Sequence, residues 1–169
     1  MDPRSHLPDV AFAPGQPAGA SGLRHILATH CAQSDTAYAA LLEESGCVYA
    51  DAGDESLRDH GETAALAVGA WHATREVARR LGEPGFHGLS HEGTARHFHI
   101  SPVDDHYLLL SVFGNDTKLA IVRATAHKSA IALRAALAAG AGPEMAPAPR
   151  GHLHDGDIHF RAEPFLAFQ

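Results

Sequence analysis

The chain has 169 residues, of which 45% are hydrophobic and 20% are charged, as is typical of one globular domain with additional segments. Its formal net charge is -7, and Lys118 and Lys128 are its only lysines. This balance lacks the basic surface that binding to nucleic acid or to an anionic membrane requires, so we expect neither partner.

Cysteine usage and hydropathy indicate the cellular compartment. Cys31 and Cys47 have no second pair, which argues against a disulfide framework or a zinc site built from cysteines alone. The first residues lack the apolar core of a signal peptide, and no run approaches the roughly 18 apolar residues of a membrane span. We therefore expect a cytoplasmic protein.

Proline and glycine divide the chain into three parts. Residues 1–21 combine several prolines and glycines without a sustained hydrophobic period, which indicates a flexible N-terminal segment. Residues 140–169 begin with a second Pro/Gly-rich stretch, and we expect a linker there that leads into a C-terminal docking tail. The folded domain is expected between them, at residues 22–139.

The domain is predicted to begin with a helix and a hairpin. A short helix is predicted over residues 23–33, because its apolar residues recur on one side. Two apolar runs follow, at residues 36–43 and 47–50, and a short connection that contains Gly46 joins them. This pattern is typical of two antiparallel strands.

A long helix is predicted next, over residues 55–81, and Gly82 and Pro84 are expected to end it. Its apolar positions recur every three or four residues, as they do on one face of a helix, and we expect this stripe to pack on a sheet. The stripe consists of Leu66, Ala70, Ala73, Val77 and Leu81.

Three strands and a final helix complete the domain. The strands are predicted near residues 86–91, 96–102 and 107–113, and the continuous apolar run of the last one indicates a central strand covered on both faces. Residues 115–117 are all suitable helix N-caps. The stripe of the final helix comprises Leu119, Val122, Ala126, Leu133 and Leu137.

The predicted element order is therefore α-β-β-α-β-β-β-α. A parallel doubly wound sheet would need a crossover after each strand, and the sequence has too few of them. One antiparallel sheet with helices on its faces provides a place for every apolar stripe. We predict this mixed α/β (α+β) class.

Two motifs in this order resemble a known family. Residues 89–93 place His-Glu-Gly before the predicted strand that contains Phe98, and residues 113–123 have the pattern Phe-x-Asn-x-Thr-x-Leu-x-x-Val-Arg as they enter the final helix. Together they resemble the Roadblock (dynein light chain) superfamily and, within it, the bacterial MglB-like regulators of small GTPases. The resemblance covers about residues 36–138.

The resemblance implies a fold and a function. It implies a Roadblock/longin-like, five-stranded antiparallel sheet with a long helix on one face and helices flanking the other. It further implies a homodimer, or a heterodimer with another Roadblock protein, that regulates a Ras-like MglA-type GTPase in bacterial cell polarity or motility. Such a regulator activates hydrolysis or modulates exchange by selecting the productive switch conformation, without a catalytic site, metal or cofactor of its own.

The same resemblance implies where the partners bind. The second helix would carry the dimer and GTPase contacts, and its small residues would allow two helices to approach closely. His72 and the neighbouring Trp71 are bulkier than the family pattern suggests, which bears on partner choice. The residues predicted for these contacts are Ala65, Gly69, His72, Ala73, Glu76 and Arg79.

The C-terminal tail contains a separate set of apolar residues. Members of the family carry a tail that contacts the GTPase, and we expect this tail to dock in a similar way. The alternative is that these residues pack back on the domain itself. They are Ile158, Phe160, Phe165, Leu166 and Phe168.

Three groups of residues approach known chemical motifs. Residues 152–159 and the strand histidines His97 and His99, with His91 nearby, have metal-ligand character, but a solvated tail and a polar sheet face explain them better. Residues 88–93 miss the Gly-x-Ser-x-Gly spacing of a nucleophile elbow, because Glu92 takes the place of the second glycine. We therefore predict neither a metal site nor a catalytic site.

Two other functions are compatible with the sequence. The first is a Roadblock scaffold that assembles a complex without affecting nucleotide turnover. The second is a longin-like or PAS-like module that holds a small ligand between sheet and helix, which would require an unfilled cavity in the core.

Overall fold

The computed structural model describes residues 19–58 and 61–140 of the chain. The order of its regular elements confirms the predicted order, and a single 3-10 turn, Glu55–Leu57, is added before the second helix. The elements are α1 (Ala20–Ser34), β1 (Tyr38–Glu43), β2 (Val48–Gly53), α2 (Glu62–Arg80), β3 (Leu89–Glu92), β4 (Arg96–Pro102), β5 (Tyr107–Gly114) and α3 (Leu119–Gly140).

The five strands form one sheet in the order β2-β1-β5-β4-β3, and every neighbouring pair is antiparallel. This confirms the predicted α/β class. The hairpins β1–β2, β3–β4 and β4–β5 join strands that are neighbours in sequence. The pairing of β1 with β5 instead joins strands that are far apart in sequence, and it unites the hairpins into one sheet. Strands β2 and β3 are left at the two edges.

Helices cover both faces of this sheet. Helices α1 and α3 pack on one face, where Leu41 and Leu109 belong to the core cluster that also holds Leu133. Helix α2 packs alone on the other face, against a cluster that includes Leu110. Alternate residues of β5 thus enter different clusters, and Ser111 is fully buried. The prediction that this strand is central and covered on both faces is confirmed.

The predicted start and orientation of the long helix are wrong. Helix α2 begins at Glu62, because Asp54 instead caps the 3-10 turn by accepting a hydrogen bond from the backbone N–H of Ser56 at 2.9 Å. The predicted stripe faces solvent, where Leu66 and Leu81 are among its most exposed members. The side that packs on the sheet is formed by Ala64, Ala67, Val68 and Trp71.

Several element ends also differ from the predictions. Strand β3 begins at Leu89, three residues later than predicted, because the ring of Phe86 packs against Trp71 with 4.6 Å between centroids. Strand β2 extends to Gly53, because pairing with β1 continues beyond the predicted end. Helix α1 is longer than predicted by a few residues at its start. The predicted β4 is confirmed at both ends.

Candidate interaction site on helix α2

One flank of α2 presents large apolar side chains to solvent. Leu66 is 75% exposed, Val77 is 55% exposed and Leu81 is 78% exposed. Their spacing places them on one side of the helix, together with the exposed Ala70 and Ala73. We call these five residues the apolar flank of α2. Side chains of this size usually lie in a core or an interface, so the flank has the character of an unfilled contact surface.

The apolar flank faces the side of the sheet that ends at β3. A groove of about 410 Å³ runs between this flank and strands β4 and β5, and Leu66, Ala70, Phe98 and Val112 are among the residues that line it. In the sheet, β4 lies next to the edge strand β3. The ring of His91 in β3 stacks on the ring of Phe98 in β4, with 5.0 Å between centroids. An apolar helix flank, an apolar groove and a sheet edge therefore lie next to one another.

The other flank of α2 is polar and faces the β1–β2 turn. Ala65 lies against Gly46 of that turn, where the backbone has φ +87° and a Cβ would stand 3.0 Å from the Cα of Ala65. His72 Nε2 lies 3.9 Å from Oε1 of Glu44. We call Ala65, His72, Glu76 and Arg79 the polar flank of α2.

Charges on the polar flank are largely matched within the helix. Arg79 donates from Nε and Nη2 to the two carboxylate oxygens of Glu76, each at 2.8 Å, and Arg80 Nε donates to Oε1 of Glu76 at 2.8 Å. These contacts lower the pKa of Glu76, with the bond from Arg79 as the largest cause. Arg75 Nη2 contacts Nδ1 of His72 at 3.1 Å. Because these side chains are exposed, their pairs contribute little to the stability of the helix, and their charges remain accessible from solvent.

The six interface residues predicted from the sequence recur every three or four residues, so they share the outward side of α2. Four of them form the polar flank. Ala73 belongs to the apolar flank, and Gly69 lies between the two flanks, where an added Cβ would meet no atom within 4 Å. Trp71 is 2% exposed and points into the core, so it does not obstruct this surface. The exposed Leu66 and Leu81 were not among the predicted contact residues, although the apolar stripe contains both of them.

A cleft of about 520 Å³ lies at the C-terminal half of α2. It is bounded by α2, by the connection from α2 to β3 and by the β4–β5 hairpin. Trp71, Phe86 and Leu108 supply its apolar lining. Sequence spacing gave no sign of this cleft, since it depends on the packing of Phe86 against a tryptophan fifteen residues earlier. Its charged lining comprises Glu44, His72, Arg75, Glu76, Arg79, Glu83, Asp104 and Asp105.

A polar cluster is buried on the opposite face, beneath α1 and α3. His30 is fully buried, and its Nε2 and Nδ1 lie 2.9 Å from Ser111 Oγ and 3.1 Å from Ser129 Oγ. Burial, with a smaller contribution from the charge of His99, lowers the pKa of His30 to about 4. Both hydroxyls solvate the neutral imidazole, so this cluster joins α1, α3 and β5 without needing a charge.

The remaining histidines do not form a metal centre within residues 19–58 and 61–140, where no group of three potential ligands converges. His97 and His99 lie on the face beneath α3, and His91 lies on the α2 face against Phe98, so the expectation that His91 is near the other two is wrong. Ser90 Oγ lies 2.9 Å from Nδ1 of His99, a contact that ties β3 to β4. Residues 152–159 and the five apolar tail residues lie outside the described part of the chain.

Both the topology and the sequence of this domain resemble those of known proteins. An antiparallel five-stranded sheet with one helix on one face and two on the other is the Roadblock/longin-like fold. Residues 32–113, just under half of the chain, match the model of the family described as the Roadblock/LC7 domain. No curated protein matches the sequence. Among the helices of the described segments, none has the length and apolar character to cross a membrane.

Solved structures of MglB share the fold. The Myxococcus xanthus MglB is 23% identical, with a TM-score of 0.62, and the match covers 66% of this chain and 91% of that one. A structure titled "MglB with tetrameric arrangement" is 24% identical, with a TM-score of 0.64 and coverage of 79% and 99%. The gliding protein MglB of Thermus thermophilus is 23% identical, with a TM-score of 0.62 and coverage of 78% and 97%.

Proposed function

We propose that this protein is a dimeric, cytoplasmic regulator of a Ras-like, MglA-type small GTPase that serves bacterial cell polarity or motility. The observation that carries the proposal is the apolar flank of α2, which lies beside the free edge strand β3 of a domain with the Roadblock/longin-like fold. In this proposal the protein supplies a binding surface and the GTPase supplies the catalytic groups.

A second copy of the chain fits the apolar flank. Pairing of two β3 strands would continue the sheet from one protomer into the next and satisfy backbone groups that an edge leaves open. The two α2 helices would then approach across the seam, where Gly69 and Ala73 present little bulk. Burying a leucine side chain contributes about 1.5–3 kcal/mol, so Leu66 and Leu81 from two protomers supply a substantial driving force.

The polar flank of α2 is the surface that we assign to the GTPase. It is directed away from the β3 edge, so pairing of two copies leaves it accessible. Hydrolysis of GTP depends on positioning and charge stabilisation, and no nucleophile is required of the activator. A partner that binds only the productive switch conformation shifts the GTPase toward it by the ratio of its affinities for the two states. We assign the apolar tail residues at 158–168 a supporting role in that contact.

Sedimentation of the full chain tests the dimer. Leu66→Ser should raise the dimer dissociation constant at least about tenfold, because the loss of about 1.5 kcal/mol or more of apolar burial corresponds to that factor. Ile121→Ser is the matched control, since Ile121 is 48% exposed on α3, away from the seam. A wild-type chain that sediments as a monomer at high micromolar concentration contradicts the proposal.

Single-turnover hydrolysis by a purified MglA-type GTPase tests the regulatory role. We expect the wild-type protein to bind the GTP-loaded form in preference to the GDP-loaded form, and to accelerate hydrolysis. Arg79→Glu should weaken both effects, because it reverses a charge on the polar flank. A dimer that binds the GTPase but leaves hydrolysis and exchange unchanged would instead support the scaffold function.

A further inference from the structure

The cleft at the C-terminal half of α2 has an apolar floor and charged walls, with arginines on the α2 side only, and no element of the described chain fills it. We propose that its occupant is the chain's own C-terminal segment, residues 158–168, which docks there when no other partner is bound. The proposal concerns self-docking in the isolated protein, and it therefore does not depend on the proposed GTPase.

The described chain ends close to this cleft. Arg134, in the second half of α3, donates from Nε to the carbonyl oxygen of Val103 at 2.8 Å, which fixes α3 against the β4–β5 hairpin. Helix α3 continues to Gly140, about 9 Å further along its axis at 1.5 Å per residue. Pro102 and Asp104, the neighbours of Val103, line the cleft on the other side of that hairpin.

The chain beyond α3 is long enough to reach the cleft. From residue 141 to residue 158 an extended chain spans up to about 55 Å, several times the thickness of a hairpin. The exit of the chain and the mouth of the cleft lie at the same end of the sheet, so the path does not need to cross either helical layer.

The charges of the cleft complement those of the segment. The α2 wall carries Arg75 and Arg79, the latter paired with Glu76, whereas the charges of the hairpin wall, Asp104 and Asp105, are both acidic. In the segment, the arginine and the glutamate two residues apart, Arg161 and Glu163, lie between two phenylalanines. An extended segment of this kind can place one charge toward each wall while its rings contact Trp71 and Phe86 on the floor.

Docking of the segment would cover part of the surface assigned to the GTPase. His72, Glu76 and Arg79 belong both to the polar flank of α2 and to the lining of the cleft. The segment and the GTPase would therefore compete for these side chains. In the isolated protein the tail would thus cover part of the polar flank. Once the GTPase displaces it, the tail would be free to contact the GTPase.

Hydrogen exchange of the full chain tests the proposal without a GTPase. The comparison is between the wild type and the variant Phe160→Ser, Phe165→Ser, Phe168→Ser, read at the amides of Gly85, Phe86 and residues 104–106. A short tether gives an effective concentration of about 1 mM, so a segment with an intrinsic dissociation constant near 0.1 mM should slow exchange about tenfold. The control variant carries Ile121→Ser and Ile131→Ser on α3, and it should exchange like the wild type.

A charge reversal with rescue separates docking from a general loss of stability. Arg161→Asp should remove most of the protection, and Asp105→Arg added to Arg161→Asp should restore it. Trp71 is the only tryptophan of the chain, so its fluorescence reports on the cleft. The fluorescence should change in Arg161→Asp and return toward the wild-type signal in the double charge variant.

Three results would overturn the proposal. The first is equal exchange at the cleft in the wild type and the triple phenylalanine variant. The second is protection that rises with protein concentration, which would assign the occupant to a second copy. The third is a double charge variant that exchanges as fast as Arg161→Asp alone.

Discussion

Acidification should destabilise this protein mainly through the buried side chain of His30. The imidazole is fully buried between the hydroxyls of Ser111 and Ser129, and burial lowers its pKa from 6.5 to about 4. Above pH 6.5 the ring is neutral in both the folded and the unfolded state, so it adds no pH dependence there. Between pH 6.5 and about 4 the unfolded chain binds a proton at this site and the folded chain does not, so stability falls as pH falls.

The magnitude follows from the two pKa values. A tenfold change in proton affinity corresponds to about 1.4 kcal/mol, so the full loss below pH 4 is about 3 kcal/mol. At pH 5 about 2 kcal/mol of this should already be lost, which is a large fraction of the stability of a typical domain. His99, whose pKa is lowered mainly by burial, acts in the same direction.

Urea unfolding at about pH 7.5 and about pH 5 measures this loss, because ordinary carboxylates still contribute little in that range. The variant His30→Gln keeps a polar side chain and removes the titration, so the change in its free energy of unfolding between the two pH values should be about 2 kcal/mol smaller than that of the wild type. His25→Gln, at an exposed site on the same helix, should behave like the wild type. If His30→Gln loses as much stability as the wild type between the two pH values, the reasoning is refuted.

Three further substitutions test the site and the fold. Gly69→Arg should abolish dimerisation or GTPase binding, since a long charged side chain prevents close helix approach. If the variant behaves like the wild type in sedimentation and calorimetry, Gly69 is not part of the interface. Trp71→Ala should lower the free energy of unfolding by about 3–5 kcal/mol in urea, because it empties the core beneath α2, and a loss below about 1 kcal/mol would contradict that packing. Gly53→Ala should cost more stability than Gly61→Ala, because both backbones have positive φ but only at Gly53 would a Cβ clash, 2.3 Å from the carbonyl oxygen of Ala37. Equal losses would argue against this contact.

The sequence predicted which residues of α2 form the apolar stripe, but not the direction in which the stripe faces. The helical period over residues 66–81 identified an apolar stripe, but it could not say whether the stripe faces the sheet or the solvent. The answer depends on Trp71, whose packing against Phe86 turns the opposite side of α2 inward. The five apolar tail residues named above lie outside the described part of the chain, so their role in docking stays a prediction.

By itself the sequence determined the order and type of the elements, because the spacing of apolar side chains, caps and turns acts over only a few residues. Tertiary structure alone decided which face of α2 is buried, which strands form the edges and how far His30 is from water. Those features arise where segments distant in the chain meet, as when β1 pairs with β5 and α1 packs on α3. The free edge at β3 and the exposed leucines beside it are consequences of that assembly.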